Sequence, residues 1–108
     1  MESKKVVYLY VYNGEVVYVG QSNRGIVKRV KEHCKEIKFY GLTDVYYYEL
    51  SPTQDASAHE AYWIKYYKPI LNIQRPSLTY GLKRKPTVKW KKYPFEITYD
   101  EPLIKLDN

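Results

Sequence analysis

VVYLYVYNGEVVYVG, residues 6–20, is the stretch on which the fold turns. Two runs rich in Val, Tyr and Leu flank Asn13-Gly14, the composition of paired strands around a tight turn. Loop length decides which side chains share a face, because a one-residue slip sends every side chain to the opposite side. A two-residue Asn13-Gly14 turn pairs Leu9 with Tyr18 and puts Tyr8 and Tyr18 on opposite faces. A three-residue Tyr12-Asn13-Gly14 loop, with Gly14 in the left-handed bulge position, sets Tyr8 against Tyr18. The sequence leaves both turns open. Tyr8, Tyr10, Tyr12 and Tyr18 also outnumber what strand packing requires.

Downstream, Gly20-Gln21-Ser22-Asn23-Arg24-Gly25 reads as a turn-rich link into a helix from Ile26 to Lys38. Ile26, Val27, Val30, Cys34 and Ile37 fall within an arc of about 100° on its wheel, a core-facing stripe with Arg29 and His33 at its edge. TDVYYYEL, residues 43–50, reads as a third strand. Ser51-Pro52 offers a helix cap and first position, so a second helix is expected from there to Lys68, before Pro69. On its apolar face lie Ala56, Trp63, Ile64 and Tyr67. Glu60 falls inside the same arc, about 40° from Ala56. A carboxylate there is costly unless partnered. His59 lies off that arc and is expected at the surface, while Tyr10, Tyr12 and Tyr46 to Tyr48 are expected to serve packing. Gly20 and Gly25 read as turn formers.

The 108 residues fit one domain with one modest core. A net charge of +6 and a pI near 9.3 favour a polyanionic partner. The single cysteine, Cys34, excludes a disulfide framework and multi-Cys zinc sites. No secretory leader or membrane-spanning apolar run is evident, so a cytoplasmic protein is expected. From Arg75 to Lys92 there are seven Lys or Arg and no acidic residue, with Tyr80 and Trp90 interspersed. This basic, largely irregular arm is expected to contact nucleic acid, cations on phosphate and aromatics on bases or sugars, with a short strand following at Phe95 to Tyr99.

In this order of elements, Tyr18-Val19-Gly20 resembles the YIG half of the GIY-YIG nuclease signature. Val6-Val7-Tyr8 stands in the GIY position, with valines replacing the glycine and isoleucine, and Tyr10 is an alternative match. KRVKEH, residues 28–33, is similar to the family's Arg-to-His helical segment. HEAYWIKYYKPILNI, residues 59–73, resembles the helix carrying the metal-binding glutamate and its proline-to-asparagine exit.

The resemblance implies a small α/β (α+β) domain over residues 1–74, a three-stranded antiparallel sheet flanked by helices, with a basic extension over 75–108. It implies a metal-dependent DNA endonuclease in which Glu60 holds Mg²⁺ or Mn²⁺, Arg29 clamps phosphate and His33 adds a polar group. Asn72 would orient the site, and Tyr8 and Tyr18 would flank the scissile phosphate. The chemistry coheres with the residue types: Arg29 offers a fork of donors to phosphate, and a hard cation accepts a carboxylate plus waters and phosphate oxygens. A phenol, with a pKa of about 10, acts as a base only where cations favour its phenolate. Tyr8 is favoured for that role, with Tyr18 binding phosphate or sharing it. Arg24, Lys28, Lys83, Arg84, Lys85, Lys89, Lys91 and Lys92 are the expected nucleic-acid contacts. No room remains for a separate targeting module, so a stand-alone nuclease is expected, as monomer or homodimer, with DNA as partner and neither a membrane nor a small-molecule cofactor. The competing readings are a non-catalytic nucleic-acid-binding module of the same fold and a protein-interaction domain with a basic arm.

Overall fold

A computed structural model describes residues 4–73 and 75–94. In chain order these form β1 (Val6–Tyr12), β2 (Glu15–Ser22), α1 (Ile26–His33), a 3-10 turn (Ile37–Phe39), β3 (Asp44–Glu49), α2 (Ala56–Tyr67) and β4 (Lys91–Lys92). The sheet is antiparallel in the order β2-β1-β3-β4. The α+β class holds, and the expected three strands gain a fourth from the basic arm. The strand expected at Phe95 to Tyr99 lies outside the described residues.

Strand β1 is central and buried on both faces, hence its unbroken apolar and aromatic run. Val6, Tyr8 and Tyr10 pack in one core with Ile26, Val30 and Phe39. Val7 and Leu9 pack in a second with Val19, Tyr48, Trp63 and Ile64. Each helix therefore covers one face of the sheet.

The hairpin follows neither expected register. Asn13 and Gly14 have φ of 48° and 85°, a two-residue turn pairing Tyr12 with Glu15. Val17 is then an extra residue: Val11 pairs with Val16, but Tyr10 pairs with Tyr18 and Tyr8 with Gly20. This bulge restores Tyr18 to the face of Tyr8 and Tyr10.

Helix α1 is shorter than the expected 26–38. Ile26, Val30 and His33 supply its buried row, whereas Val27 and Ile37 are 47% and 73% exposed. Ending the helix at His33 swings Phe39 under the phenols, with its ring centroid 5.0 Å from both Tyr10 and Tyr18. Ser51-Pro52 does not cap α2. Instead, Gln54 N–H donates to Ser51 O at 3.1 Å, and the Asp55 side chain accepts from Ala58 N–H at 3.1 Å. A carboxylate is the better cap because it also meets the positive end of the helix. Lys68, with φ of 49°, closes α2 before Pro69.

The basic arm is docked on the domain. Lys65 Nζ donates to Leu78 O at 3.2 Å and to Tyr80 O. Trp90 packs on Tyr48 and Trp63, with centroids 4.7 and 5.2 Å apart. Tyr93 N–H then donates to Val45 O at 2.8 Å, holding the strand end against β3. No helix among the described residues is long and apolar enough to cross a membrane.

Candidate active site

The hydroxyl end of the Tyr8 ring lies over Gly20, its partner on edge strand β2. A Cβ at Gly20 would stand 2.7 Å from Tyr8 Cε1, and closer still to Cζ and Oη. Gly20 therefore serves close approach rather than the expected turn: the missing side chain lets a phenol from the central strand extend across its neighbour. Arg29 Nε, from α1, donates to Tyr8 Oη at 3.3 Å, and its Nη1 lies 3.4 Å from Glu32 Oε1. Glu32 also takes Arg24 Nη2 at 3.0 and 3.1 Å, so one carboxylate holds both guanidinium groups. The sequence reading missed Glu32, although its place three residues after Arg29 on one helix face was visible.

Tyr18 stacks obliquely beside Tyr8 and Tyr10, with ring centroids 6.2 and 5.6 Å away. It shares a pocket of about 300 Å³ with Lys38, Glu60 and Asn72. Glu60 arrives from α2, half-buried, with Gln21 Nε2 donating to its Oε1 at 3.2 Å. Burial pushes its carboxyl pKa up, and the Gln21 hydrogen bond opposes that shift. Gln21, a second residue that sequence reasoning missed, also lines a cleft of about 260 Å³ with Arg24 and Arg29. It thereby links the carboxylate side of the site to the guanidinium side.

Asn72 is buried and reads both polar groups of one residue. Its Oδ1 accepts from Val19 N–H and its Nδ2 donates to Val19 O, each at 2.9 Å. Beside it, Leu71 N–H donates to Val17 O at 2.9 Å. Together they satisfy the outer edge of β2, which has no strand neighbour on that side among the described residues, and fix the backbone between Tyr18 and Gly20.

His33 turns inward, with Nδ1 2.6 Å from Tyr10 Oη. Burial keeps the Tyr10 phenol protonated, so the hydroxyl and the ring nitrogen share one hydrogen bond. Burial, followed by the positive charges of Arg29 and Lys38, lowers the His33 pKa to about 4, against an opposing pull from Glu32. Glu36 lies 3.7 Å from Nε2 but is exposed and screened by water. Unfolded His33 takes its proton near pH 6.5, whereas the folded one refuses it until about pH 4. The neutral histidine thus supports the fold above pH 6.5, and that stability is lost as pH falls. Urea melts should show the wild type losing about 2 kcal/mol more than His33→Gln between pH 6.5 and 5. Parallel losses in the two proteins would refute this.

Two tyrosines expected only to pack have polar partners. Tyr10 holds His33. Tyr48 accepts from Trp63 Nε1 at 2.8 Å and shares a second hydrogen bond with His59 Nδ1 at 2.8 Å. His59, expected at the surface, is buried because this hydroxyl satisfies it.

The cations separate by position. Arg24 joins Arg29, while Lys28 lines a cavity of about 480 Å³ with Lys4 and Lys31. Lys83 donates to Thr79 O at 2.9 Å, and Lys85 lies 5.0 Å from the Tyr66 ring. Lys91 and Lys92 pair with Glu49 and Asp44 at 3.2 and 2.9 Å, on the sheet edge opposite β2. Arg84 and Lys89 are exposed.

A sheet with a helix on each face, gathering two phenols, a guanidinium and one half-buried carboxylate around an edge strand, makes this an α+β domain with a candidate site on β2. The GIY-YIG catalytic domain matches residues 4–74, and the chain belongs to that family, whose members are generally divalent-metal-dependent nucleases. No curated protein and no solved structure matches the chain. The two valines that depart from the signature, Val6 and Val7, are 1% and 0% exposed, so the departure falls in the core.

The donor set suits a hard cation. Among the described residues no three His, Cys, Asp or Glu side chains cluster to enclose a metal. Glu60 presents one carboxylate at a solvent-open pocket, where waters and phosphate oxygens can supply the remaining ligands, as Mg²⁺ prefers.

Proposed function

We propose that the chain is a Mg²⁺-dependent endonuclease that hydrolyses DNA phosphodiester bonds, with Mn²⁺ as a substitute. The observation that carries this reading is Glu60, a carboxylate raised towards neutrality by burial, in electrostatic reach of Tyr8 and Tyr18. Burial disfavours its charged form, a cost that the Gln21 hydrogen bond reduces and a bound cation would reduce further. A divalent ion there would neutralise charge on the phosphoryl oxygens and favour the Tyr8 phenolate.

The remaining roles belong to the side chains. Arg29, partly exposed and already on Tyr8 Oη, turns its free guanidinium donors to a phosphate oxygen. Tyr8 would act as the phenolate: its own proton is first lost to solvent as Arg29 and a bound cation favour the anion, and Oη then takes the proton of the attacking water. Burial raises its pKa well above the ordinary phenol value, and Arg29 opposes that shift, so positive charge at the site controls its basicity. Tyr18 binds phosphate, while His33 fixes Tyr10, whose ring supports Tyr8 at 4.9 Å. Arg24, Lys28 and the exposed arm cations Arg84 and Lys89 supply backbone attraction that weakens with salt.

Plasmid nicking in Mg²⁺ or Mn²⁺ tests the reading. Wild type should relax supercoiled DNA only with the metal, and Glu60→Ala should fold and bind DNA without nicking. A folded wild type that nicks no DNA form with either metal would end the enzyme reading and leave the binding module.

A further inference from the structure

Glu60 borders a second cleft, of about 230 Å³, whose lining does not include Tyr18. Its far wall comes from the arm, through Arg75 and Tyr80, beyond the residues that match the family. We infer that this cleft binds one unstacked nucleotide next to the scissile phosphate, its base on the Tyr80 ring and its phosphate on Arg75. The inference rests on the nuclease reading.

The wall is built. Tyr80 N–H donates to Ser77 O at 3.2 Å, its carbonyl accepts from Lys65, and Leu82 N–H donates to Ala58 O at 3.4 Å. Its backbone is therefore held to α2, while the residue lines the cleft and stays 45% exposed. Arg75 uses Nη2 on Pro69 O at 3.2 Å, and among the described residues its other donors are left for an anion.

Ala61 and Ile64 also line the cleft. A lining that combines a tyrosine, apolar side chains, a guanidinium and a carboxylate matches one base and its phosphate. The volume lies below the roughly 300 Å³ at which drug-sized pockets begin, in keeping with one ring group. Every base has a π-face, so such a platform binds without sequence preference. A paired, stacked base cannot lie on Tyr80 without leaving its neighbours. The favoured substrate class is thus DNA with an unpaired or easily unstacked nucleotide at the cut.

The cut is first mapped with the full chain on a labelled oligonucleotide, and an abasic residue is then placed on either side of it. At one of these positions wild type should lose about 5- to 150-fold in cleavage rate, the loss of one base–aromatic stack. Tyr80→Ala should lose that factor on the intact substrate and nothing more on the abasic one, while Tyr80→Phe behaves as wild type. In EDTA, Arg75→Gln should lower the slope of log binding constant against log salt by about one. An abasic penalty that is absent in wild type, or equal in Tyr80→Ala, overturns the proposal while the nuclease reading stands. An unchanged salt slope removes Arg75 from it. A wild type that cuts nothing takes both readings down together.

Discussion

Gly20→Ala should fold with reduced stability and lose nicking by at least about 100-fold. The backbone at Gly20 suits any residue, so alanine meets no conformational strain there. The whole effect comes from the Tyr8 ring, which the new methyl would overlap. Tyr8 is fully buried and stacked on Tyr10, and it cannot swing aside as a surface side chain would. Overpacking of this kind typically costs about 1–3 kcal/mol. The larger loss is chemical, because displacing Oη breaks its contact with Arg29, and misplacement by about 1 Å can remove a hundredfold in rate. Tyr8→Phe separates the two effects, because it keeps the buried ring and removes only Oη. This variant should hold thermal stability near that of wild type and still not nick. Wild-type nicking by Gly20→Ala would show that the position of Tyr8 does not matter.

The second large effect belongs to Asn72→Ala. Two buried backbone groups of Val19 would lose their partners at once, at about 1–3 kcal/mol each where water cannot replace them. A net loss of about 2–4 kcal/mol should lower the melting temperature of so small a domain by about 10–20 °C. Asn72→Asp is no rescue: it accepts from Val19 N–H but brings a carboxylate against Val19 O. A melting temperature within about 2 °C of wild type for Asn72→Ala would show that water, not Asn72, satisfies that edge.

The resemblance identified Asn72 as an orienting residue, yet its target was invisible until Leu71 and Asn72 were seen against β2. Glu60 was legible because a charge on an apolar helical face is anomalous within one element. Gly20 was misread because the need for a missing side chain arises from a residue twelve positions earlier on another strand. His59 failed for the same kind of reason: its burial depends on the Tyr48 hydroxyl, which helical periodicity cannot report. The arm's basic composition foretold charge but not place. Lys91 and Lys92 are paired across the sheet from Glu60, whereas Arg75 and Tyr80 border its cleft.

By itself the sequence determined the hairpin, the order of the first three strands and the two helices, the family signature and the residue types of the candidate site, because these depend on local propensity, periodicity and spacing. Only the tertiary structure decided that the extra residue Val17 returns Tyr18 to the face of Tyr8. Either turn fits Asn13-Gly14 locally. The choice was made by burial of Tyr8, Tyr10 and Tyr18 against α1 and Phe39, an energy that exists only once the layers pack.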